Sequence, residues 1–252
     1  MRPAQTLARL RAPLETRPDP VQTALMTHHA FSLAGARLHA MPSGALHWPD
    51  RALLVVSDLH FGKSERLARR GGSLLPPYET QATLTRLDAD IAVTAARTVI
   101  CLGDSFDDTA ASGTLDEPDR LWLVRLMAGR DWIWVMGNHD PCPVDLGGSH
   151  RAEVRLAGLG FRHAASIDTP EISGHYHPKA RLVGRARPCF LIDDQRVIMP
   201  AYGTYTGGLP CDDPALGALM KPGALAVLTG GIARVIPMPR GQIRARSSSF
   251  SR

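Results

Sequence analysis

The sequence predicts an α/β protein, and three observations carry that prediction. Four short apolar runs each end in residues that can bind metal or move a proton. Leu53-Leu54-Val55-Val56 runs into Asp58 and His60. Val99-Ile100-Cys101-Leu102 runs into Asp104. Trp132-Ile133-Trp134-Val135-Met136 runs into Asn138 and His139. Glu171-Ile172-Ser173 runs into His175 and His177. Secondly, two stretches between the early runs carry apolar residues at helical spacing: Leu84, Leu87 and Ile91 in one, Leu123 and Met127 in the other. Thirdly, the early chain reads as βαβ and the later chain mostly as β. Open α/β sheets bind ligands at the carboxyl ends of their strands, so the four runs predict one site built from four strand ends.

Residues 1–25 are rich in Pro, Arg, Ala and Thr without a sustained period, and are read as a disordered extension. Met26 is an alternative start. Phe31–His39 and Ala45–Trp48 alternate weakly and predict a leading hairpin around Pro42-Ser43-Gly44. Ala52–Ser57 is the first strong strand. Ser64–Arg70 predicts a short helix with Ser64 as N-cap, stopped by Gly71-Gly72. Pro76-Pro77 opens a helix over Tyr78–Ala96. Thr98–Leu102 is a strand, Asp116–Met127 a helix and Trp132–Met136 a strand whose tryptophans pack on core or helix. Short strands follow at Val154–Leu156, Leu159–His163, Arg181–Val183, Pro188–Ile192 and Arg196–Met199. Pro214 suits the first turn of a helix. Ala224–Leu228 and Ile232–Ile236 close as a hairpin over Thr229-Gly230-Gly231. The folded domain is placed at residues 26–239 and a basic, disordered tail at 240–252.

The net charge of +5 is misleading about the body of the protein. Residues 1–25 hold four Arg against Glu15 and Asp19, and residues 240–252 hold four Arg and no acid, which leaves the body at about −1. A globally basic surface therefore cannot be invoked for nucleic-acid binding, whereas a local patch can. Cys101, Cys142, Cys189 and Cys211 are scattered without a CxxC pair, so a zinc ribbon or redox motif is not expected. Reduced thiols and a cytoplasmic setting fit this pattern. No run of 18 apolar residues predicts a membrane span, and the N-terminus lacks the apolar core of a secretory signal.

Asp58, His60, Asp104, Asn138, His175 and His177 mix carboxylate, amide and imidazole donors without thiolate. That mixture suits Mn, Fe, Zn or Ni and argues against a structural zinc site. Six donors exceed one four-coordinate ion with an open position and match two ions sharing a carboxylate. Such a pair polarises phosphoryl oxygens and acidifies an attacking water. Gly103, Gly137 and Gly174 each precede a ligand, where a residue without Cβ lets the chain turn sharply and approach closely.

The ordered set Asp58-Leu59-His60, Gly103-Asp104-Ser105-Phe106-Asp107, Gly137-Asn138-His139-Asp140 and Gly174-His175-Tyr176-His177 resembles the calcineurin-like metallophosphoesterase superfamily. More narrowly, Asp58–Ser64, Glu171–Lys179 and Ala201–Gly208 resemble the bacterial ligase-associated DNA damage response endonuclease family, over roughly residues 28–237. The resemblance implies a two-sheet β-sandwich flanked by helices. It implies that Asp58, His60 and His177 hold one divalent ion, Asn138 and His175 the other, and that Asp104 bridges them. His139 would protonate the leaving oxygen, a task suited to imidazole, and Asp140 would orient His139. The superfamily carries one more His between its third and last motifs. His163 is chosen over His150 because Leu159–Arg162 reads as a strand ending there, whereas His150 follows a Gly147-Gly148 loop. At position 107 the narrower family often carries His, but the general pattern accepts Asp.

The resemblance further implies a DNA endonuclease or phosphodiesterase of DNA repair, with DNA as partner and a DNA ligase, helicase and exonuclease in the same system. Mn is the first choice of metal, with Fe, Zn, Ni or Mg as alternatives. The competing functions are hydrolysis of a small or cyclic nucleotide, and a non-catalytic scaffold, which the complete ligand set disfavours. Lys63 and Arg66, just behind the first motif, are candidate phosphate contacts. Tyr202 or Tyr205 in the Gly-rich 201–208 loop could stack on a base, or the loop could be a plain turn. His28, His29, His39 and His47 are read as surface or core residues.

Overall fold

The computed structural model describes residues 27–69, 71, 78–107, 115–140 and 146–241. The expected N-terminal extension, Arg70, the Pro76-Pro77 helix opening, Cys142 and the tail beyond Gly241 lie outside them. Two mixed sheets stack face to face. The first runs β1 (His29–Leu33), β2 (Ala36–Ala40), β3 (Leu46–Trp48), β4 (Leu53–Val56), β5 (Thr98–Leu102), β6 (Asp131–Val135), β7 (Ser149–Arg151) in that spatial order. Its pairs are antiparallel up to β4 and parallel from β4 to β7. The second sheet contains β8 (Val154–Leu156), β9 (Leu159–Arg162), β10 (Glu171–Ser173), β12 (Ala186–Ile192), β13 (Arg196–Ile198), β14 (Leu225–Leu228) and β15 (Arg234–Pro237), with β11 (Lys179–Arg181) paired to β12.

Alternation along the strands builds the layers. Leu53, Val55, Ile100, Leu102 and Val135 face the second sheet and meet Phe161, Ile172, Phe190, Val197 and Val227. Their neighbours Leu54, Val56, Val99 and Cys101 point the other way, onto α2 (Glu79–Thr94) and α3 (Glu117–Met127). Leu84, Leu87, Ile91, Leu123 and Met127 lie in that outer core, as their spacing predicts, and so do Trp132 and Trp134. Strands buried on both faces read as continuous apolar runs, which explains why β4, β5 and β6 stood out in the sequence. The outer face of the second sheet is covered by α4 (Pro214–Leu219) through Leu216, and by Cys211 and Met220 on either side of it. Asp213 caps α4 by accepting from the Ala215 N–H at 2.8 Å. The result is the expected two-sheet α/β sandwich with helices outside.

Three local readings change. Phe31–His39 is two strands, turned at Ala34 (φ 48°) and Gly35 (φ 80°), with Leu33 opposite Ala36. Both turn residues are left-handed, as a two-residue hairpin of this kind requires, but Ala at the first gives no turn signal. Ser149–Arg151 forms the edge strand β7 beside β6, so His150 is on a strand after the Gly pair. The strand expected at Arg181–Val183 sits two residues earlier, where Lys179 pairs with Pro188. Cys101, Cys189 and Cys211 are free and buried, and the last two bring their Sγ atoms to 3.3 Å. No helix among the described residues is long and apolar enough to cross a membrane.

Candidate metal centre

Because β4, β5 and β6 are parallel neighbours, Asp58, Asp104 and Asn138 emerge along one end of the first sheet. The parallel pair β9 and β10 delivers His163, His175 and His177 from the second sheet. The predicted donors fall into two groups, and a third set, His60, Asp107 and His139, converges beside the first.

In the first, ligand atoms of Asp58, His60 and His177 all lie within 4.8 Å of one another. Asp58 Oδ1, His60 Nε2 and His177 Nε2 are each buried without a hydrogen-bond partner, and Asp58 Oδ1 sits 3.0 Å from His177 Nε2. Three buried donors with only one another for company are costly, and a divalent cation between them would satisfy all three. Their other atoms are already held. Ser57 Oγ donates to Asp58 Oδ2 at 2.5 Å and the His175 N–H to the same oxygen at 3.0 Å. His60 Nδ1 is 2.8 Å from Asp107 Oδ1, which leaves Nε2 as the ligating nitrogen.

In the second group, Asp104, His163 and His175 converge. His163 Nε2 is 2.9 Å from Asn138 Oδ1, 3.0 Å from His175 Nδ1 and 3.4 Å from Asp104 Oδ2. His163 Nδ1 donates to the Leu102 carbonyl at 2.9 Å, so its Nε2 faces the site. His163 therefore joins the predicted cluster, and His150 belongs to neither group. Burial pulls the His163 pKa down, but Asp104 and Asp58 outweigh it and push it up to about 9. Burial opposes ionisation of Asp104 and Asp58 too. The His163 hydrogen bond and charge hold Asp104 well below the carboxylate range, and His177 with His163 lowers the pKa of Asp58.

The residues beside these groups revise three expectations. Asp140 does not steer the His139 ring. Its carboxylate accepts from the backbone N–H groups of Gly137, Asp104, Ser105 and Phe106 at 2.7–3.2 Å, tying the β5 and β6 turns together. Burial raises its pKa to about 6 against those donors. His139 is held by the Asp107 carbonyl, 2.8 Å from Nδ1. Lys63 and Arg66, on α1 (Lys63–Arg69), are not free phosphate grips. Arg66 Nε donates to Asp107 Oδ2, and Lys63 Nζ lies 4.0 Å from Oδ1, because Asp107 is fully buried and needs countercharge. Tyr202 is buried as well: its hydroxyl donates to Asp90 Oδ2 at 2.8 Å and Arg86 stacks on its ring at 4.5 Å. Tyr205 is the exposed tyrosine of that loop. The loop braces the first motif, with Tyr202 N–H donating to Ser57 O at 2.7 Å and Gly203 N–H to Asp58 O at 3.0 Å.

Asp107 and Ser57 were the functional neighbours that sequence reasoning left unassigned. Asp107 did carry a signal, as the second acid of its motif, whereas Ser57 carried none. The backbone itself is unusual. Asp58, His60, Asp104, His175 and His177 all have positive φ, between 47° and 70°. Left-handed backbone at residues other than glycine is uncommon and concentrates at functional sites. At Gly137 and Gly174 the requirement is close approach and not the expected sharp turn. A Cβ there would overlap Asp104 and Ser57 respectively.

Fold and site together define a two-sheet α/β hydrolase of phosphate esters, with carboxylate, amide and imidazole donors gathered for divalent metal. A family model for calcineurin-like phosphoesterases matches residues 52–202, and the chain belongs to that family. No curated protein matches it. Among solved structures it is similar to the crystal structure of the Pseudomonas putida nuclease MPE, with TM-score 0.65 and 28% identity over 83% of this chain and 99% of that one.

Proposed function

We propose that this chain is a two-metal phosphodiesterase that cuts DNA. The observation that carries the reading is the trio of buried donors on Asp58, His60 and His177, which face one another and have no hydrogen bond from outside the trio, set beside the second convergent group and His139. The likeness to a nuclease supports the choice of substrate class. Asp58, His60 and His177 would hold one ion. Asn138, His163 and His175 would hold the other, with Asp104 shared. Bound ions would supply Lewis acidity to the phosphoryl oxygens and to an attacking water. His139, fixed through Nδ1 by the Asp107 carbonyl, presents Nε2 to carry a proton to the leaving oxygen. Asp107 orients His60, and Asp140 fixes the two turns that carry Asp104 and Asn138. Mn is the proposed metal on the O/N donor mixture. A cytoplasmic role in DNA repair, beside a ligase, helicase and exonuclease, completes the proposal.

The test is one panel with added Mn: bis-p-nitrophenyl phosphate, cyclic nucleotides, and single- and double-stranded DNA, with wild type and His139→Ala. Wild type is expected to hydrolyse the diester and DNA. The variant should lose about 10²–10⁴-fold on DNA while keeping its metal content. Activity confined to monoesters overturns the nuclease reading, and unchanged DNA cleavage by the variant removes the proton role of His139.

A further inference from the structure

With Lys63 and Arg66 committed to Asp107, a local basic patch must be sought elsewhere. It lies immediately after the last ligand. β11 and the start of β12 form an antiparallel hairpin closed by Leu182-Val183-Gly184-Arg185. The segment Lys179–Pro188 holds Lys179, Arg181, Arg185 and Arg187 and no acid. Residues 181–187 are all exposed. The side chains of Arg181, Arg185 and Arg187 have no hydrogen-bond or ion-pair partner among the described residues. Three unpaired guanidinium groups on one short hairpin repel each other, and a chain of anions would relieve that repulsion. Between them the apolar tip stands out of the protein, with Val183 90% and Leu182 44% exposed.

The root of this hairpin is fixed to the site. β11 begins two residues after His177. The Lys179 N–H donates to Leu209 O at 2.8 Å, Cys211 N–H donates to Lys179 O at 2.9 Å, and Lys179 Nζ holds Thr206 O at 2.9 Å. A hollow of about 490 Å³ runs beside it, bordered by Lys179, Arg181, Gly208 and Asp212. Gly208 packs against the His177 carbonyl. The four steps of chain from Lys179 to Val183 reach at most ~13 Å.

Resting on the phosphodiesterase reading, we propose that the β11–β12 hairpin is the arm that holds the substrate strand. Arg181 and Arg187, on opposite faces of the hairpin, and Arg185 at its turn bind phosphates of a single strand of nucleic acid that wraps the arm, and Leu182 and Val183 pack against its unstacked bases. Guanidinium groups suit phosphate, and single strands offer both charge and exposed base faces. The arm carries affinity for the polymer and takes no part in the chemistry at the metal centre.

The full chain with Arg181→Ala, Arg185→Ala and Arg187→Ala together tests this, alongside Leu182→Ser with Val183→Ser, and Arg185→Glu alone. Arg185→Glu lies in the loop outside both strands and guards against misfolding of the triple variant. With Mn, all three variants should hydrolyse bis-p-nitrophenyl phosphate at the wild-type rate. Binding of a labelled single-stranded oligonucleotide to the triple variant should weaken roughly tenfold or more. The slope of log affinity against log salt should fall by about 2, at ~0.7 per phosphate contact. The Leu182/Val183 variant should lose affinity with the salt slope unchanged. Wild-type oligonucleotide affinity and slope in the triple variant and in Arg185→Glu overturn the proposal. Loss of binding to phosphatidylserine vesicles with DNA binding intact also overturns it, in favour of a membrane contact. If wild type binds DNA through the arm but hydrolyses no diester, the phosphodiesterase reading fails and the arm stands.

Discussion

Asp107 shows how one buried carboxylate serves several parts at once. One oxygen orients His60, the other takes Arg66, and its backbone carbonyl fixes His139. Asp107→Asn keeps the shape but removes the charge that Arg66 and Lys63 need. Outer partners of ligating imidazoles typically matter by 10–100-fold in metal affinity. A loss of about that size is expected in competition with a chelator, with DNA cleavage restored at high Mn. Asp140→Ala is expected to act on folding. It leaves four backbone N–H groups without their acceptor, at about 1–3 kcal/mol for each that water cannot reach, and urea unfolding should show the loss. These two residues also mark what the sequence could reveal. The ligand types were legible because each ends an apolar run with fixed spacing. The task of Asp140 was not, because its partners are main-chain N–H groups, which leave no trace in residue identity. Lys63 and Arg66 looked like free cations because the acid that claims them lies some forty positions away.

At the scale of elements, the parallel β4, β5 and β6 were legible because burial on both faces makes them uniformly apolar, and α2 and α3 because theirs is one-sided. The hairpin over Pro42-Ser43-Gly44 was legible from its turn residues and is formed by β2 and β3, whereas the turn between β1 and β2 was not, because it begins with alanine. That alanine is a liability: the left-handed backbone costs a non-glycine residue about 1–2 kcal/mol. Ala34→Gly is exposed and makes no packing contact to lose, so it should raise stability by about 1 kcal/mol in urea denaturation. The 201–204 segment makes the opposite case. Tyr202→Phe deprives Asp90, on the buried face of α2, of its hydroxyl partner. A loss of about 1–3 kcal/mol is expected, read as a lower thermal midpoint.

For the whole molecule, stability and metal binding should answer pH in opposite directions. The His163 pKa is raised from 6.5 to about 9. In the metal-free protein its contribution is complete below pH 6.5 and is lost as pH rises through about 9. A bound ion needs His163 neutral, so metal affinity should rise across the same window with release of a proton. Melting temperatures from pH 6.5 to 9 should therefore fall with chelator and rise, or fall less, with Mn. His47, beside the stacked His28 and His39, acts at the acid end. Burial lowers its pKa to about 4, so the stability it guards is full above pH 6.5 and declines as pH drops towards 4. The five candidate ligands with positive φ bear on how the centre should be dissected. Removing a side chain by alanine keeps a Cβ in a backbone region that disfavours it, whereas glycine removes both the donor and the steric conflict. Asparagine is at ease there and is the natural isostere for Asp58 and Asp104. A scan with glycine at the histidines and asparagine at the aspartates should yield better-folded knockouts than an alanine scan, and so separate lost chemistry from lost structure.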